Sequence, residues 1–438
     1  MMRIVILGNG ISGVTAARHI RKQSDHPITI ISSETPYFFS RTALMYVYMG
    51  HMRFQDTQPY ENNFWVKNRI DLVQAHITDI HFGDRFLLSE NGEKIFYDKL
   101  ILALGSKPNK FGWPGQDLQA VHGLYHKQDL EAMEKHSKGL KRAVIVGGGL
   151  IGLEMAEMFL SRHIPVTFLV REPDYWRVVL PAEESAMVSR HIRHHGIDLR
   201  LSTELKEIID DGNGKACAVM THKNERIDCG FVGLTAGVSP NVAFLKKTEL
   251  AIGRGIQVNE FLKTNQPHVY AIGDCAEMLT PKAGRRPIEA VWYTGRMMGE
   301  TVAQNICGKK TAYQPGIWFN SAKFLDIEYQ VYGTIPSILP QGIETIYWEH
   351  PDGDKSIRIN YRKDNGTVTG FNLMGIRYRH QVCEKWIKSK AHIEEVLMHL
   401  ALANFDPEFF KTYEQEILAT YNQQTGKSLR AKSQRRLS

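Results

Sequence analysis

Two glycine-rich turns of one design, about 140 residues apart, constrain this chain more than anything else in it. The first is Gly8-Asn9-Gly10-Ile11-Ser12-Gly13, entered from the apolar strand Arg3-Ile4-Val5-Ile6-Leu7 and followed by helix-spaced Val14, Ala16, Ala17 and Ile20. Gly8 allows a tight turn, Gly10 lets the backbone approach a pyrophosphate, and Gly13 lets the helix pack closely on its strand. The pyrophosphate then sits at the helix N-terminus, where unpaired N–H groups and the dipole favour negative charge. A second strand, Ile28 to Ile31, ends at Ser32-Ser33-Glu34, where Glu34 or Ser33 takes the ribose hydroxyls. One such fingerprint is weak evidence, but here it recurs. Ala143 to Val146 leads into Gly147-Gly148-Gly149-Leu150-Ile151-Gly152, with another strand at Val166 to Val170. Two dinucleotide sites in one chain are what a hydride relay requires.

The 438 residues are 43% hydrophobic and 23% charged, which fits two or three globular domains. No stretch approaches the ~18–20 unbroken apolar residues of a spanning helix. The first strand runs straight into its glycine turn, so cleaving a leader there would destroy the motif, and a cytoplasmic protein is expected. The five cysteines (Cys217, Cys229, Cys275, Cys307, Cys383) are scattered, with no C-x-x-C pair, which argues against a disulfide framework or a zinc site. Formal net charge is +7, partly from an acid-free C-terminus holding Lys427, Arg430, Lys432, Arg435 and Arg436. That tail reads as solvated chain or as a contact for an acidic protein or the inner face of a membrane. Nucleic acid is not an expected partner.

Further motifs carry a resemblance. Tyr97 to Pro108, with Ala103-Leu104-Gly105, and Thr264 to Asp274, ending Ala271-Ile272-Gly273-Asp274, lie either side of the second fingerprint. Together with the two fingerprints they resemble the FAD-dependent pyridine nucleotide–disulfide oxidoreductases, the flavoproteins with two dinucleotide-binding domains, nearest the ferredoxin, rubredoxin and nitrite reductase branch. Leu104 departs from the family pattern, where threonine is usual. The resemblance covers about residues 1–312 and implies an α/β fold of two Rossmann-like domains plus a C-terminal α+β domain. It implies FAD contacts at Gly8, Gly10, Ile11, Ser12, Gly13, Ser33 or Glu34, Arg41, Ala103, Gly105, Gly273, Asp274, Tyr293 and Thr294. Asp274 would bond the ribityl chain, and the helix opening at Trp292-Tyr293-Thr294 would face the flavin pyrimidine. It implies NAD(P) contacts at Gly147, Gly149, Leu150, Ile151, Gly152, Glu154, Arg171, Arg177 and Gly237. Glu154 would position the nicotinamide, although an exposed helical glutamate reads much the same in sequence. Arg41 would steady flavin or phosphates, with a surface ion pair as its other reading.

The expected domains are 1–112 with 245–312 for FAD, 113–244 for NAD(P), and 313–438 as an interface domain. In the last, strands are expected at Glu328 to Tyr332, Glu344 to Trp348, Ile357 to Tyr361 and Val368 to Met374. Trp386, Ile393, Val396, Leu397 and Leu400 then form one apolar helical stripe. Asp406-Pro407 starts another helix, with Phe410, Tyr413 and Ile417 on one face.

Arg171 and Arg177 suit a 2′-phosphate and lean the choice towards NADPH, whereas Glu172 suits the ribose diol of NADH. Tyr37 to Tyr46 holds Ser40-Arg41 and no cysteine, so no thiolate relay operates there and the flavin passes electrons directly to its acceptor. The expected function is an NAD(P)H oxidoreductase serving an acidic electron-carrier protein such as a ferredoxin or rubredoxin. The alternatives are a peripheral membrane quinone reductase and a nicotinamide-responsive interaction protein. A homodimer is the commonest assembly for such chains. His191, His194 and His195 have no carboxylate or cysteine at ligand spacing and read as solvated surface, so no residue is assigned to a metal.

Overall fold

In the computed structural model, which describes residues 1–432, Ile4–Leu7 is buried at all four positions, as a strand covered on both faces must be. It is the centre of a five-stranded parallel sheet ordered Val269–Ala271, Lys99–Leu102, Ile4–Leu7, Ile28–Ser32, Ile70–Gln74. The edge strand Val269–Ala271 comes from far along the chain, so the sheet closes only after an intervening unit has been made. That unit has its own parallel sheet, ordered Asp198–Arg200, Val166–Leu169, Ala143–Val146, Phe231–Leu234, Val121–His122, again with a fully buried central strand. Each central strand leads through a glycine turn into a helix, Ile11–Arg21 in the first unit and Leu150–Ser161 in the second. Both turns therefore lie at the carboxyl ends of the strands, where open α/β sheets bind ligands. The first of these helices packs against Trp292–Ile306 so tightly that a Cβ on Gly299 would lie 2.6 Å from the Ser12 carbonyl oxygen.

The third unit is an antiparallel sheet ordered Phe319–Phe324, Ile327–Gly333, Val368–Met374, Ser356–Arg362, Ile343–Glu349. Four of these strands match the sequence expectation. Phe319–Phe324 does not, because only its ends are apolar and its middle reads Asn320-Ser321-Ala322-Lys323. Phe324, Tyr329 and Met374 share a core with Phe168 and Tyr175 of the second unit, which fixes the two units together.

Two helical expectations are corrected. The stripe from Trp386 to Leu400 is not one helix. His380–Lys388 ends where Lys390 turns left-handed (φ 54°), and Ile393–Met398 and a 3-10 turn at Leu400–Ala403 follow. Asp406-Pro407 does not open a helix either. Asp406 has φ 44°, Phe410 is exposed, and the helix runs Glu414–Thr425 with Ile417, Leu418 and Tyr421 buried. Lys427, Arg430 and Lys432 of the basic C-terminus are described, whereas Arg435 and Arg436 lie outside the described residues. Among the described residues no helix is long and apolar enough to cross a membrane.

Candidate functional site

The first glycine turn is shaped by backbone contacts. Gly8 has φ +117°, and a Cβ there would lie 2.1 Å from the Ala103 carbonyl oxygen, so strand and turn meet with no side chain between them. Gly10, the helix N-cap, has open space at its Cβ position, no side-chain cap and no acid in the following turn. The first N–H groups of that helix thus point at space that an anion can fill. Ile11 and Ser12 meet Gly295, and Ser12 also meets Gly273, which brings Asp274 alongside the same turn. Asp274 accepts a hydrogen bond from Ser106 Oγ at 3.1 Å, and burial pushes its carboxyl up. Ser106 N–H donates to Tyr125 Oη at 2.9 Å, and burial holds that phenol at about 12, so it stays protonated. A Cβ on Gly105 would lie 3.1 Å from the same phenol oxygen.

Glu34, at the end of the second strand, is held by protein donors. Arg41 donates from Nη2 to Glu34 Oε2 at 2.7 Å and from Nη1 to Oε1 at 3.0 Å, and also bonds the Tyr125 carbonyl. Lys127 N–H adds a 2.9 Å bond to Glu34 Oε1. Burial alone would raise the Glu34 carboxyl, but hydrogen bonds from His126 and Arg41 outweigh it and hold the group at about 2. The Arg41 guanidinium lies 4.6 Å from the Tyr125 ring and 5.1 Å from Phe39. Both Glu34 oxygens thus have protein donors, while Ser33 stands exposed beside it.

The second cradle repeats the first. Gly147 has φ +120°, and its Cβ would lie 2.6 Å from the Thr235 carbonyl oxygen, whereas Gly149 faces open space. No side chain caps the helix that begins Leu150-Ile151, and no acid occupies its first turn. Gly152 packs against Gly147 and Thr235, and Tyr175 Oη donates to the Gly149 carbonyl at 2.9 Å. One turn into the helix, burial raises the Glu154 carboxyl to about 7, with Glu157 adding to the rise and Lys323 opposing it. Arg171 is 69% exposed and donates to Glu172 Oε1 at 2.9 Å. Arg177 instead turns its Nη1 to the carbonyls of Ser337 (2.9 Å) and Leu180 (3.3 Å). Gly237 (φ +87°) accepts from Asn109 N–H at 3.0 Å on the strand pair leaving this unit.

Two open, anion-ready helix N-termini set on two parallel sheets accord with what similarity shows. Residues 2–303 match the pyridine nucleotide-disulphide oxidoreductase family. The chain belongs to it. An NADH oxidase of Methanocaldococcus jannaschii is 28% identical over 395 residues, covering 85% of this chain and 88% of the relative. A NAD-dependent persulfide reductase from A. fulgidus superposes with TM-score 0.84 at 22% identity, over 100% of this chain and 89% of that one. The NADH:rubredoxin oxidoreductase from Clostridium acetobutylicum superposes with TM-score 0.70 at 25% identity, over 90% and 95%. Two Bacillus subtilis relatives are much longer. The chain spans 39% of an assimilatory nitrate reductase electron transfer subunit and 34% of a nitrite reductase.

This oxidoreductase therefore uses FAD and NAD(P)H, and its residues fit two dinucleotides. Each glycine turn leaves unfilled space before orphan N–H donors, and Asp274 keeps a buried carboxyl with Ser106 as its side-chain partner. The strand Phe319–Phe324 lies against both cradles. At one end Tyr293 Oη meets Ser321 Oγ at 3.2 Å and the Tyr293 ring lies 4.6 Å from Phe319. At the other, Lys323 donates to Glu157 at 2.6 Å, and Phe324 packs 6.0 Å from Tyr175. Thr294 is buried, and its hydroxyl donates to Glu289, which Arg285 holds in an ion pair. Sequence reasoning missed Ser106, Tyr125, Tyr175, Ser321 and Lys323. No local pattern marks them: Tyr125 and Tyr175 come from loops, Ser321 and Lys323 from one strand of the third unit, and each gains its meaning only from a partner distant in sequence.

Proposed function

We propose that this oxidoreductase passes electrons from NAD(P)H through FAD directly to a small acidic electron-carrier protein of the rubredoxin or ferredoxin kind. Its working units are 1–112 with 245–312, 113–244, and 313–438. Held before the helices at Ile11 and Leu150, the two dinucleotides would supply the hydride donor and an acceptor able to release electrons singly or in pairs. The reading is carried by the segment just beyond the first domain's second strand. Arg41 there is locked onto Glu34, and no thiol stands beside it to relay electrons. Cys275, next to Asp274, is no substitute, because burial holds its thiol at about 12. An acidic partner fits the flavin end, where half-exposed Trp292 opens its helix beneath Arg296 and where Lys282 and Arg286 line the neighbouring surface. The resemblance to a rubredoxin oxidoreductase supports the same acceptor class.

The test is anaerobic flavin bleaching by each nucleotide, followed by addition of oxidised rubredoxin or ferredoxin at rising ionic strength. Fast bleaching and carrier reduction that slows with salt support the proposal. Bleaching with no carrier reduced at any ionic strength refutes the acceptor, and reduction of a quinone in its place establishes the membrane alternative. The same experiment addresses nucleotide choice. With Arg177 turned to carbonyls, the NADPH reading rests on Arg171, opposed by Glu172 at its side. Arg171→Ala is expected to lower the NADPH-to-NADH rate ratio about tenfold, the effect of one charge-assisted contact of roughly 1.5 kcal/mol.

Glu154 provides a second readout. An ionised carboxyl lowers the energy of nearby positive charge, such as an oxidised nicotinamide carries, and a neutral carboxyl does not. Flavin reduction is therefore expected to quicken with pH through an apparent pKa near 7. In Glu154→Gln the profile should be flat, near the low-pH rate and roughly tenfold below the wild-type plateau. A Glu154→Gln profile that still rises through pH 7 would remove Glu154 from this role.

A further inference from the structure

We propose that His191, His195 and Asp326 form a zinc-type metal site that bonds the second unit to the third. His191 and His195 lie four residues apart where the helix Ala182–His194 ends, so their imidazoles share one face, with ring centroids 4.6 Å apart. Asp326 comes from the tight turn between Phe319–Phe324 and Ile327–Gly333, where Leu325 is left-handed (φ 59°). This turn brings its carboxylate under both rings. His195 Nε2 is 3.1 Å from Asp326 Oδ1, and His191 Nε2 bonds the same oxygen. One ligand atom from each of the three residues lies within 4.8 Å of the other two. A tetrahedral zinc ion with bonds of ~2.0–2.2 Å sets its ligands about 3.3 Å apart, so small side-chain rotations suffice to enclose one.

The donor chemistry selects the ion. Two imidazole nitrogens and one carboxylate suit zinc and its first-row neighbours, whereas calcium and magnesium prefer sets of oxygens. His191 is 10% exposed and held by the helix, while Asp326 is 71% exposed and leaves the fourth coordination position to water. A site open on one side and anchored on the other takes up metal without unfolding.

Position gives the site its consequence. The seam between these two units is otherwise bridged by side-chain ion pairs, Glu157 with Lys323, Arg190 with Glu349, and Glu184 with Arg358. A metal bond at Asp326 would pin the seam two residues beyond Phe324, at the end of the strand that lines both cradles. The sequence gives little sign of this, because Asp326 lies 131 residues from His195 and joins it only through packing of the third sheet. A second triad, His350, Asp352 and Asp354, lies within one turn and joins no two units, which makes it an internal control.

The test titrates the full-length, FAD-loaded protein with zinc chloride by calorimetry in a non-chelating buffer. The variants are Asp326→Asn, which is isosteric and surface-placed, His195→Ala and Asp352→Ala. Wild type and Asp352→Ala are expected to bind one zinc per chain, with affinity falling at least tenfold in Asp326→Asn and His195→Ala. Zinc should raise the unfolding temperature of wild type but not of Asp326→Asn. The proposal is overturned if wild type takes up no zinc at about 100 µM. It is equally overturned if Asp326→Asn binds as wild type does, since the helix pair alone would then hold the ion, or if Asp352→Ala loses binding.

Discussion

Arg358→Ala is expected to lower the free energy of unfolding by about 3–5 kcal/mol, the range found when one partner of a buried ion pair is removed. The side chains of Arg358 and Glu184 are 4% and 0% exposed. Arg358, on the strand Ser356–Arg362, donates from Nε to Glu184 Oε1 at 2.7 Å and from Nη2 to Glu184 Oε2 at 2.8 Å. It also reaches Glu183 at 2.7 Å and Thr345 at 3.2 Å, and its guanidinium lies 4.7 Å from the Tyr347 ring. Without it, Glu184 keeps only Asn372, which donates at 3.0 Å. The first turn of the helix Ala182–His194 softens the loss, since a carboxylate there interacts well with the dipole, but by no more than about 1 kcal/mol. Exposed pairs such as Arg226 with Asp228 are screened by solvent, contribute little, and provide the comparison. Denaturant unfolding of variant and wild type decides it, and a loss under about 1 kcal/mol would show that the pair is not holding the seam.

What the sequence made legible is what backbone geometry demands of a particular residue type. Gly8 and Gly147 sit at φ values near +120° with carbonyl oxygens against their α-carbons, and no other residue satisfies both conditions. Asp274 stood out only through the family resemblance, because a Gly-Asp pair ending an apolar strand reads by itself as a simple turn. Less legible were residues whose meaning depends on a distant partner. Glu34 stands where a ribose ligand is expected, and its pairing with Arg41, with the 125–127 segment bonded to both, needed the fold to be seen. The strand Phe319–Phe324 has no alternating pattern because it faces two other units rather than one core. The break at Lys390 carries no composition signal, because lysine rarely turns left-handed and the apolar spacing around it continues, whereas Asp406 before a proline reads equally as a helix cap or as a left-handed turn.

Gly149→Val is expected to abolish reduction by NAD(P)H while leaving the fold and the flavin spectrum intact. At Gly149 the backbone is extended (φ −108°, ψ 179°), a conformation valine adopts readily, and its Cβ meets nothing within 4 Å. The substitution should therefore fold. The isopropyl group would nonetheless occupy the space in front of the Leu150-Ile151 turn and hold a pyrophosphate away from the orphan N–H groups. Losing two charge-assisted bonds of about 1.5–3 kcal/mol each raises the apparent dissociation constant by roughly 10²–10⁴-fold. Gly147→Val is the contrasting change. It places a β-branched side chain at φ +120° with its Cβ 2.6 Å from the Thr235 carbonyl oxygen, and the expected result is a destabilised second unit rather than a selective loss of binding. Stopped-flow bleaching across a nucleotide titration separates the two, with dithionite bleaching showing that the flavin of Gly149→Val is still present and reducible. If Gly149→Val bleaches within about threefold of wild type at every nucleotide concentration, the second glycine turn is not where the electron donor binds.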